Sequence, residues 1–158
     1  MKILKKTVSL LLVFAALAAL LTGCGGKAAD IPVKELADKV GAAIGNTDME
    51  TIPDNYVKGY LRHDPSELGE YVILKNVMGT SIDEFGIFKA GTMDAAALKT
   101  MIQDYIRLMQ DAWMNYQPEE KPKLDNAEVK TVGNYVMYAI LSDADRAAAF
   151  KAFEGALK

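Results

Sequence analysis

The sequence predicts an α+β fold: a two-layer sandwich in which helices cover a four-stranded, mostly antiparallel sheet, in the order ββαββα with an additional N-terminal helix. Three observations predict it. A long amphipathic helix pattern lies in the second half of the chain, pairs of short β-branched and aromatic runs lie on either side of it, and the final segment is again helical. Helices with one apolar stripe need a surface to cover, and a sheet with one apolar face provides it.

Before the folded part, the chain of 158 residues begins with a segment typical of exported proteins. Three lysines precede an apolar run over residues 8–21, which is shorter than the roughly 20 apolar residues of a membrane-spanning helix. The run ends in Leu21-Thr22-Gly23-Cys24, which resembles a bacterial lipobox. By that resemblance, residues 1–23 are a lipoprotein signal peptide and Cys24 is the lipidation site. The alternative is an ordinary secretory signal with an unmodified thiol.

Lipid on Cys24 predicts the location of the protein. Residues 24–30 form a lipidated tether, and residues 31–158 form a single domain on the extracytoplasmic side of the cell membrane, because two acyl chains suffice for stable attachment. Cys24 is the only cysteine, so no disulfide forms within the chain. Removing residues 1–23 takes away three of the 18 basic residues and none of the 21 acidic ones, so the mature net charge is −6. A chain this acidic is not expected to bind nucleic acid.

Two helices are predicted ahead of the first strand. Apolar residues recur at helical spacing over residues 32–44, with Asp30 as the N-cap and Pro32 in the first turn. The polar segment 45–48 ends this helix. Residues 53–61 predict a second, shorter helix.

The central part of the chain predicts two strands and the longest helix. Residues 71–74 and 85–88 are short apolar runs that suit an antiparallel pair. Residues 94–116 keep apolar side chains at i, i+3, i+4 and i+7 and polar side chains on the other face, which predicts an amphipathic helix. Pro118 ends the pattern, and residues 117–126 are predicted to be a loop.

The last part of the chain predicts a hairpin followed by a helix. Glu128–Val132 and Tyr135–Leu141 lie on either side of Gly133-Asn134, a two-residue connection that suits a hairpin turn. Ser142 is the predicted N-cap of the final helix, with Asp145 at the third position.

Several motifs carry a resemblance to a known family. They are Asp-Pro-Ser-Glu-Leu-Gly-Glu-Tyr-Val at 64–72, Asp-Glu-Phe-Gly-Ile-Phe-Lys at 83–89, Asn-Ala-Glu-Val at 126–129, Gly-Asn-Tyr-Val at 133–136 and Ser-Asp-Ala-Asp at 142–145. On these motifs, residues 64–158 resemble the domain of unknown function 4358, an uncharacterised family of Firmicutes lipoproteins. The resemblance implies no activity and no catalytic residue.

Candidate catalytic residues are few. His63 is the only histidine, and Asp64 beside it suits a general base with an orienting group. Asp64-Pro65 followed by Glu67 is also the pattern of a capped helical turn, and we predict the cap. The sequence contains no nucleophile elbow, P-loop or dinucleotide-binding glycine motif, so no catalytic residue is assigned.

Metal sites are not predicted either. A zinc site needs several cysteine or histidine ligands, and the mature chain offers one histidine and the acylated Cys24. Asp143 and Asp145, or Asp83 and Glu84, supply paired carboxylates but lack the ligand spacing of a calcium loop. Asp143 and Asp145 are instead predicted to favour the positive end of the final helix.

Two features of the long helix suggest packing or binding. Met101 and Met109 lie on its apolar stripe, which favours a core position over copper binding. Trp113 lies off the stripe at the end of the helix. Either the proline-containing loop 117–126 covers it, or it is an exposed anchor for a partner. Trp113 is therefore the candidate partner-binding residue.

These observations predict a membrane-anchored extracytoplasmic lipoprotein whose domain is a non-enzymatic binding or interaction module, with an envelope protein as the candidate partner and no cofactor. The alternative is a small-ligand binder, or an enzyme whose site is built from scattered acids, tyrosines and His63. A concave pocket with perturbed titratable groups would indicate this alternative. A flat aromatic surface around Trp113 would indicate the interaction module.

Overall fold

The computed structural model describes residues 28–45, 48–113 and 116–158, so the predicted signal peptide and Cys24 lie outside the described residues. This part of the chain forms an antiparallel sheet with helices on both faces. The strands are β1 (Met49–Thr51), β2 (Glu70–Asn76), β3 (Glu84–Lys89), β4 (Glu128–Val132) and β5 (Tyr135–Ile140). The helices are α1 (Val33–Ala43), α2 (Asp54–Leu61), α3 (Ala95–Trp113), α4 (Lys121–Asp125) and α5 (Asp143–Ala156).

The strands lie in the order β1-β2-β3-β5-β4, and every neighbouring pair is antiparallel. The predicted pairing of β2 with β3 is confirmed, as is the hairpin that joins β4 to β5. In that turn Gly133 has a φ of 56°, a left-handed conformation that glycine adopts without strain. The helix α3 connects β3 to the β4–β5 hairpin. Strand β5 of that hairpin pairs with β3 near the centre of the sheet.

The predicted four-stranded sheet is wrong by one strand, because β1 was not foreseen. Its register pairs Met49 with Asn76 and Thr51 with Leu74, and Ile52 N–H continues the contact by donating to the carbonyl oxygen of Ile73 at 3.0 Å. A strand of three mostly exposed residues has no alternating pattern to recognise. It forms because the edge of β2 offers unpaired backbone groups.

Helices cover both faces of the sheet, so the predicted two layers become three. On one face, side chains of α2, α3 and α4 form one hydrophobic cluster with Val136, Tyr138 and Ile140 of β5. On the other face, side chains of α1 and α5 form a second cluster with Met137 and Ala139. All six residues of β5 are buried, and strands buried on both faces carry apolar side chains without alternation.

The structure confirms the predicted helices and corrects one predicted N-cap. The long helix, the short helix after Pro53 and the Ser142 cap are confirmed, the last by Asp145 N–H donating to Ser142 Oγ at 3.2 Å. The predicted Asp30 cap of α1 is wrong, since Pro32 occupies the N-cap position and Asp30 instead binds Lys89 Nζ at 2.6 Å. No helix in the described segments is long and apolar enough to cross a membrane.

The segment predicted as a loop between α3 and the hairpin contains the short helix α4. Pro122 lies at the start of α4, where its missing N–H is tolerated. Leu124 is buried against α3, and its carbonyl oxygen accepts a hydrogen bond from Gln110 Nε2 at 3.0 Å. This tertiary contact favours a helical turn where the charge-rich sequence indicated a loop.

Candidate functional site

Two adjoining surface depressions share a wall of three aromatic side chains, Tyr56 and Tyr60 of α2 and Trp113 of α3. The first, which we call the hairpin groove, lies beside the β2–β3 connection, has a volume of about 420 Å³ and is lined by Ile52, Tyr60, Lys75, Val77, Ile82 and Trp113 among others. The second, the helix groove, lies between α2 and α3, has a volume of about 640 Å³ and is lined by residues that include Tyr56, Tyr60, Leu108, Ala112 and Trp113.

The aromatic wall is built by helical spacing. Tyr56 and Tyr60 are one turn apart on α2, their ring centroids lie 4.4 Å apart, and their hydroxyl groups are hydrogen-bonded at 2.7 Å. Trp113, at the last position of α3, is half-buried and packs against the core beneath it. Its ring meets that of Tyr116 edge-on with centroids 5.2 Å apart. The side chain of Trp113 is thus neither fully covered nor fully exposed.

Exposed apolar side chains are concentrated around this wall. Among the described residues, the large hydrophobic side chains that are exposed are Tyr56, Val77, Met78, Leu108 and Tyr116. Tyr56 lines both grooves, Val77 lines the hairpin groove and Leu108 lines the helix groove. Met78 follows Val77 in the chain, and Tyr116 contacts Trp113. Single exposed apolar residues are common on protein surfaces, whereas large contiguous apolar patches are characteristic of interaction sites.

A buried carboxylate lies beneath the hairpin groove. Glu84 is 1% exposed, and its Oε1 accepts hydrogen bonds from the hydroxyls of Tyr105, at 2.8 Å, and Tyr138. Its Oε2 accepts one from Lys75 Nζ at 2.6 Å. The β2–β3 register places Lys75 opposite Glu84, while Tyr105 comes from α3 and Tyr138 from β5. A buried charge that is paired and hydrogen-bonded in this way avoids most of its desolvation cost.

The phenols around this carboxylate are held neutral. Burial first, and the nearby charge of Glu84 second, raise the pKa of Tyr105 and of Tyr138 well above the usual tyrosine value. The hydrogen bond with Tyr56 and partial burial raise the pKa of Tyr60 to about 12. All three hydroxyls therefore stay protonated near neutral pH, and those of Tyr105 and Tyr138 donate hydrogen bonds to Glu84.

A second polar cluster fixes the β2–β3 connection against α4. Glu120 Oε2 accepts hydrogen bonds from Ile82 N–H at 3.1 Å and from Ser81 Oγ at 2.9 Å. Lys123 Nζ lies 2.8 Å from Glu120 Oε2 and 2.7 Å from Asp83 Oδ1. This cluster holds one side of the hairpin groove in place.

A comparison with protein families identifies the domain. The model of the family described as "Domain of unknown function (DUF4358)" matches residues 42–141, which is more than half of the chain. The chain belongs to the DUF4358 family. The matched segment includes both grooves and the Glu84 cluster, and it ends before α5. No curated protein and no solved structure matches the chain.

In the DUF4358 domain His63 lines the same surface depression as Tyr105 of the Glu84 cluster. Its Nδ1 is 3.5 Å from Glu67 Oε2, and its side chain is 38% exposed. The predicted cap beside it is confirmed, because Asp64 Oδ1 accepts hydrogen bonds from Ser66 N–H at 3.1 Å and from Ser66 Oγ at 2.8 Å. These bonds, with a further one from Lys58, lower the pKa of Asp64 to about 2.

The carboxylate pairs considered for metal binding have other partners in the DUF4358 domain. Glu84 is paired with Lys75 and Asp83 with Lys123. Asp145 caps α5 together with Ser142, as predicted. Within residues 28–45, 48–113 and 116–158, no three histidine, cysteine or acidic side chains are grouped closely enough to hold a metal ion.

The methionine prediction is confirmed, while the buried cluster was missed. Met101 and Met109 are buried on the core face of α3. No motif in the sequence singles out Lys75 or connects Glu84 with a lysine or a tyrosine. One signal could have paired the two charges: once β2 and β3 are a hairpin, Lys75 and Glu84 are opposite each other and have opposite signs.

Proposed function

We propose that this DUF4358 protein is a lipoprotein anchored through Cys24 to the extracytoplasmic side of the cell membrane, and that its domain is a non-enzymatic binding module for an envelope protein. The partner contacts the surface formed by the two grooves around Trp113. The observation that carries the proposal is the concentration of exposed apolar side chains around that residue.

The position of the tether supports a partner away from the bilayer. Ala28 lies against Gly133 in the β4–β5 turn, and Asp30 binds Lys89 at the end of β3. The hairpin groove lies at the other end of the sheet, beside Lys75. Strands of this length span about 20 Å. If Cys24 carries lipid, the tether end of the sheet faces the membrane and the grooves face the space beyond it.

Anchoring through Cys24 is testable by substitution. We expect Cys24→Ser to abolish labelling by a palmitate analogue and to release the chain from the membrane fraction, because without the acyl chains no covalent anchor is attached. Metabolic labelling followed by fractionation measures both effects. Ser9→Ala, inside the apolar run of the signal, is the control and should keep the label. Labelling of Cys24→Ser at the level of the native chain would contradict the proposal.

The binding surface is testable in the same cells. We expect Trp113→Ala to reduce crosslinking to a discrete envelope protein at least tenfold, because truncating a central aromatic anchor typically costs 2 kcal/mol or more of binding energy, or about thirtyfold in affinity. Crosslinking of the full-length chain followed by mass spectrometry measures this. Lys151→Ala, on the exposed side of α5, is the control and should leave the crosslink unchanged. Capture of only lipids and abundant neighbours by the native chain would rule the module out.

A small-ligand binder is the second candidate function. It is favoured by the hairpin groove, which is concave and has the charged Lys75 among its lining residues. Its volume of about 420 Å³ lies within the range of about 300–1,000 Å³ that is usual for ligand pockets.

A further inference from the structure

We propose that the helix groove between α2 and α3 receives an amphipathic helix of the partner protein, with an acidic side chain of that helix bound to Arg62. This inference rests on the proposed binding function and specifies what the partner presents to the domain. It is carried by the spacing of the groove's side chains, by a glycine in one wall and by the guanidinium group among the lining residues.

Side chains one helical turn apart form both walls of the helix groove. Tyr56 and Tyr60 form the α2 wall, and Leu108 and Ala112 form the α3 wall. Rows of side chains spaced by four residues are the ridges between which the side chains of a further helix pack. The groove therefore suits a helix better than an extended strand, which needs an unpaired sheet edge to bind.

The apolar surface of α3 extends beyond the part that faces the sheet. Met109 is buried in the core, whereas Leu108 beside it is 39% exposed and Ala112, one turn further along, is also exposed. On the other wall, Tyr56 is 42% exposed. In helix-in-groove recognition, the apolar face of the incoming helix covers such rows. The partner helix therefore presents an apolar face.

Gly59 leaves room for a second helix to come close. It lies inside α2 and lines the helix groove, and a Cβ at this position would meet no atom within 4 Å. Glycine inside a helix is unfavourable relative to alanine, and no contact among the described residues requires the missing side chain. The distance between packed helices depends on the size of the side chains at their contact, so a glycine here permits a close approach.

Arg62 specifies the charge of the partner. Among the described residues that line the helix groove, Arg62 alone is charged. It is exposed, and within the described segments its guanidinium group has no hydrogen bond or ion pair. Asp104, which lines an adjoining depression together with Arg62, is bound to Arg107 instead. A guanidinium group binds a carboxylate through two parallel N–H donors, so Arg62 favours an acidic side chain.

The chain itself does not supply such a helix. Residues 1–27 contain four lysines and no acidic residue, so they offer no carboxylate to Arg62. In a second copy of the chain, the apolar faces of α1, α3 and α5 are buried in the two core clusters and are not available. The occupant is therefore a helix of a different protein, with an apolar face and an aspartate or glutamate beside it.

Site-specific photocrosslinking in cells tests this assignment. A photoreactive amino acid replaces Leu108 of the helix groove in one full-length chain and Val77 of the hairpin groove in another, and mass spectrometry identifies the crosslinked peptide. We expect the peptide captured at position 108 to come from another envelope protein and to have apolar residues at helical spacing with an acidic residue within one turn of them. A peptide from a second copy of this chain, or one without that pattern, would overturn the proposal.

Charge reversal tests the role of Arg62. Arg62→Glu should reduce the crosslink at position 108 about tenfold, because like charges then face each other, whereas Arg62→Lys should keep most of it. Lys99→Glu changes the net charge by the same amount on the exposed face of α3 and should leave the crosslink unchanged. The left-handed φ of 57° at position 62 is as unfavourable for glutamate as for arginine, so Arg62→Glu adds no backbone strain.

The partner's side of the ion pair is tested by exchanging the charges. Replacing the acidic residue of the captured helix by arginine should restore the crosslink to Arg62→Glu, because the pair is then re-formed with its charges exchanged. A crosslink at position 108 that Arg62→Glu does not weaken, or that the exchange does not restore, would contradict the ion pair and with it the proposal.

A larger side chain at Gly59 tests the close approach without changing any charge. Gly59→Met adds its side chain where a Cβ meets no atom, and methionine favours a helix more than glycine does, so the free domain should be no less stable. The side chain fills the space of the partner helix, so the crosslink at position 108 should fall about tenfold. Gly155→Met in α5, where a Cβ also meets no atom within 4 Å, is the control. An undiminished crosslink in Gly59→Met would mean that no helix packs closely on α2.

The two crosslinker positions separate this proposal from the binding function on which it rests. If the chain crosslinks to an envelope protein at position 77 but not at position 108, and Trp113→Ala abolishes that crosslink, the binding module stands and the helix in the helix groove is rejected. If neither position crosslinks to an envelope protein, both are rejected.

Discussion

Glu84→Ala is expected to lower the free energy of unfolding by about 3–5 kcal/mol. The substitution leaves the ammonium group of Lys75, whose side chain is 14% exposed, without its carboxylate. It also leaves the hydroxyls of Tyr105 and Tyr138 without an acceptor in a part of the core that excludes water. Each buried donor that loses its partner adds a desolvation cost of about 1–3 kcal/mol. Urea unfolding of the full-length chain, followed by far-UV circular dichroism, measures the loss.

Two comparisons show whether burial causes this effect. Glu154→Ala removes the carboxylate of the ion pair between Glu154 and Lys130, whose side chains are 37% and 39% exposed respectively. It should lower the free energy of unfolding by less than about 1 kcal/mol, because exposed ion pairs contribute little. Glu84→Gln keeps an amide oxygen that accepts from both tyrosines and should cost less than Glu84→Ala. If Glu84→Ala and Glu154→Ala destabilise equally, the buried cluster does not stabilise the fold.

Elements with a long periodic pattern or a specific turn signal were predictable from sequence. The stripe of α3, the Gly133-Asn134 turn and the Ser142 cap each depend on residues close together in the chain. Local chemistry determines such elements, and tertiary contacts only fix their ends. The short strand β1 has no such signal, because it forms only when β2 is already in place.

The number of layers was misread from a run of apolar residues. Tyr135–Ile140 is apolar throughout, which indicates a strand buried on both faces, whereas the predicted two-layer sandwich has a sheet with one covered face. Helices α1 and α5 cover the second face. The apolar stripes of the helices were recognised, but a stripe does not tell which face of the sheet the helix covers.

The candidate site was predictable only in part. Trp113 was recognised because it departs from the apolar stripe of its helix, and it does lie between the two grooves. Tyr60 and Lys75 line the hairpin groove with Trp113, and Glu84 binds Lys75, only through tertiary packing of α2 and the β2–β3 hairpin, so neither spacing nor composition groups them. The pairing of Lys75 with Glu84 can be predicted only from the register of β2 against β3, and the sequence alone does not specify that register.

Gly86→Ala is expected to lower the free energy of unfolding by about 2–3 kcal/mol, although it adds only one methyl group. Gly86 lies in the central strand β3, directly between Ile73 of β2 and Tyr138 of β5. A Cβ at this position would overlap Cε1 of Tyr138 and lie 3.1 Å from Cγ1 of Ile73. The Tyr138 ring is fully buried and its hydroxyl donates to Glu84, so it cannot move aside without breaking that hydrogen bond.

Whether Gly86→Ala destabilises or stabilises the fold shows which is larger, the steric overlap of the new Cβ with Tyr138 or the usual stabilising effect of replacing glycine by alanine. Replacing glycine by alanine in a helix or strand normally stabilises by about 0.5–1 kcal/mol, because the unfolded chain loses freedom. Gly155→Ala in α5, where a Cβ meets no atom within 4 Å, is the control and should stabilise. In a double-mutant cycle, Gly86→Ala should cost less when Tyr138 is already alanine, since the overlapping ring is gone. If Gly86→Ala stabilises the protein, or if the costs in the cycle are additive, then the Tyr138 ring does not need the space that the absence of a Cβ at Gly86 leaves for it.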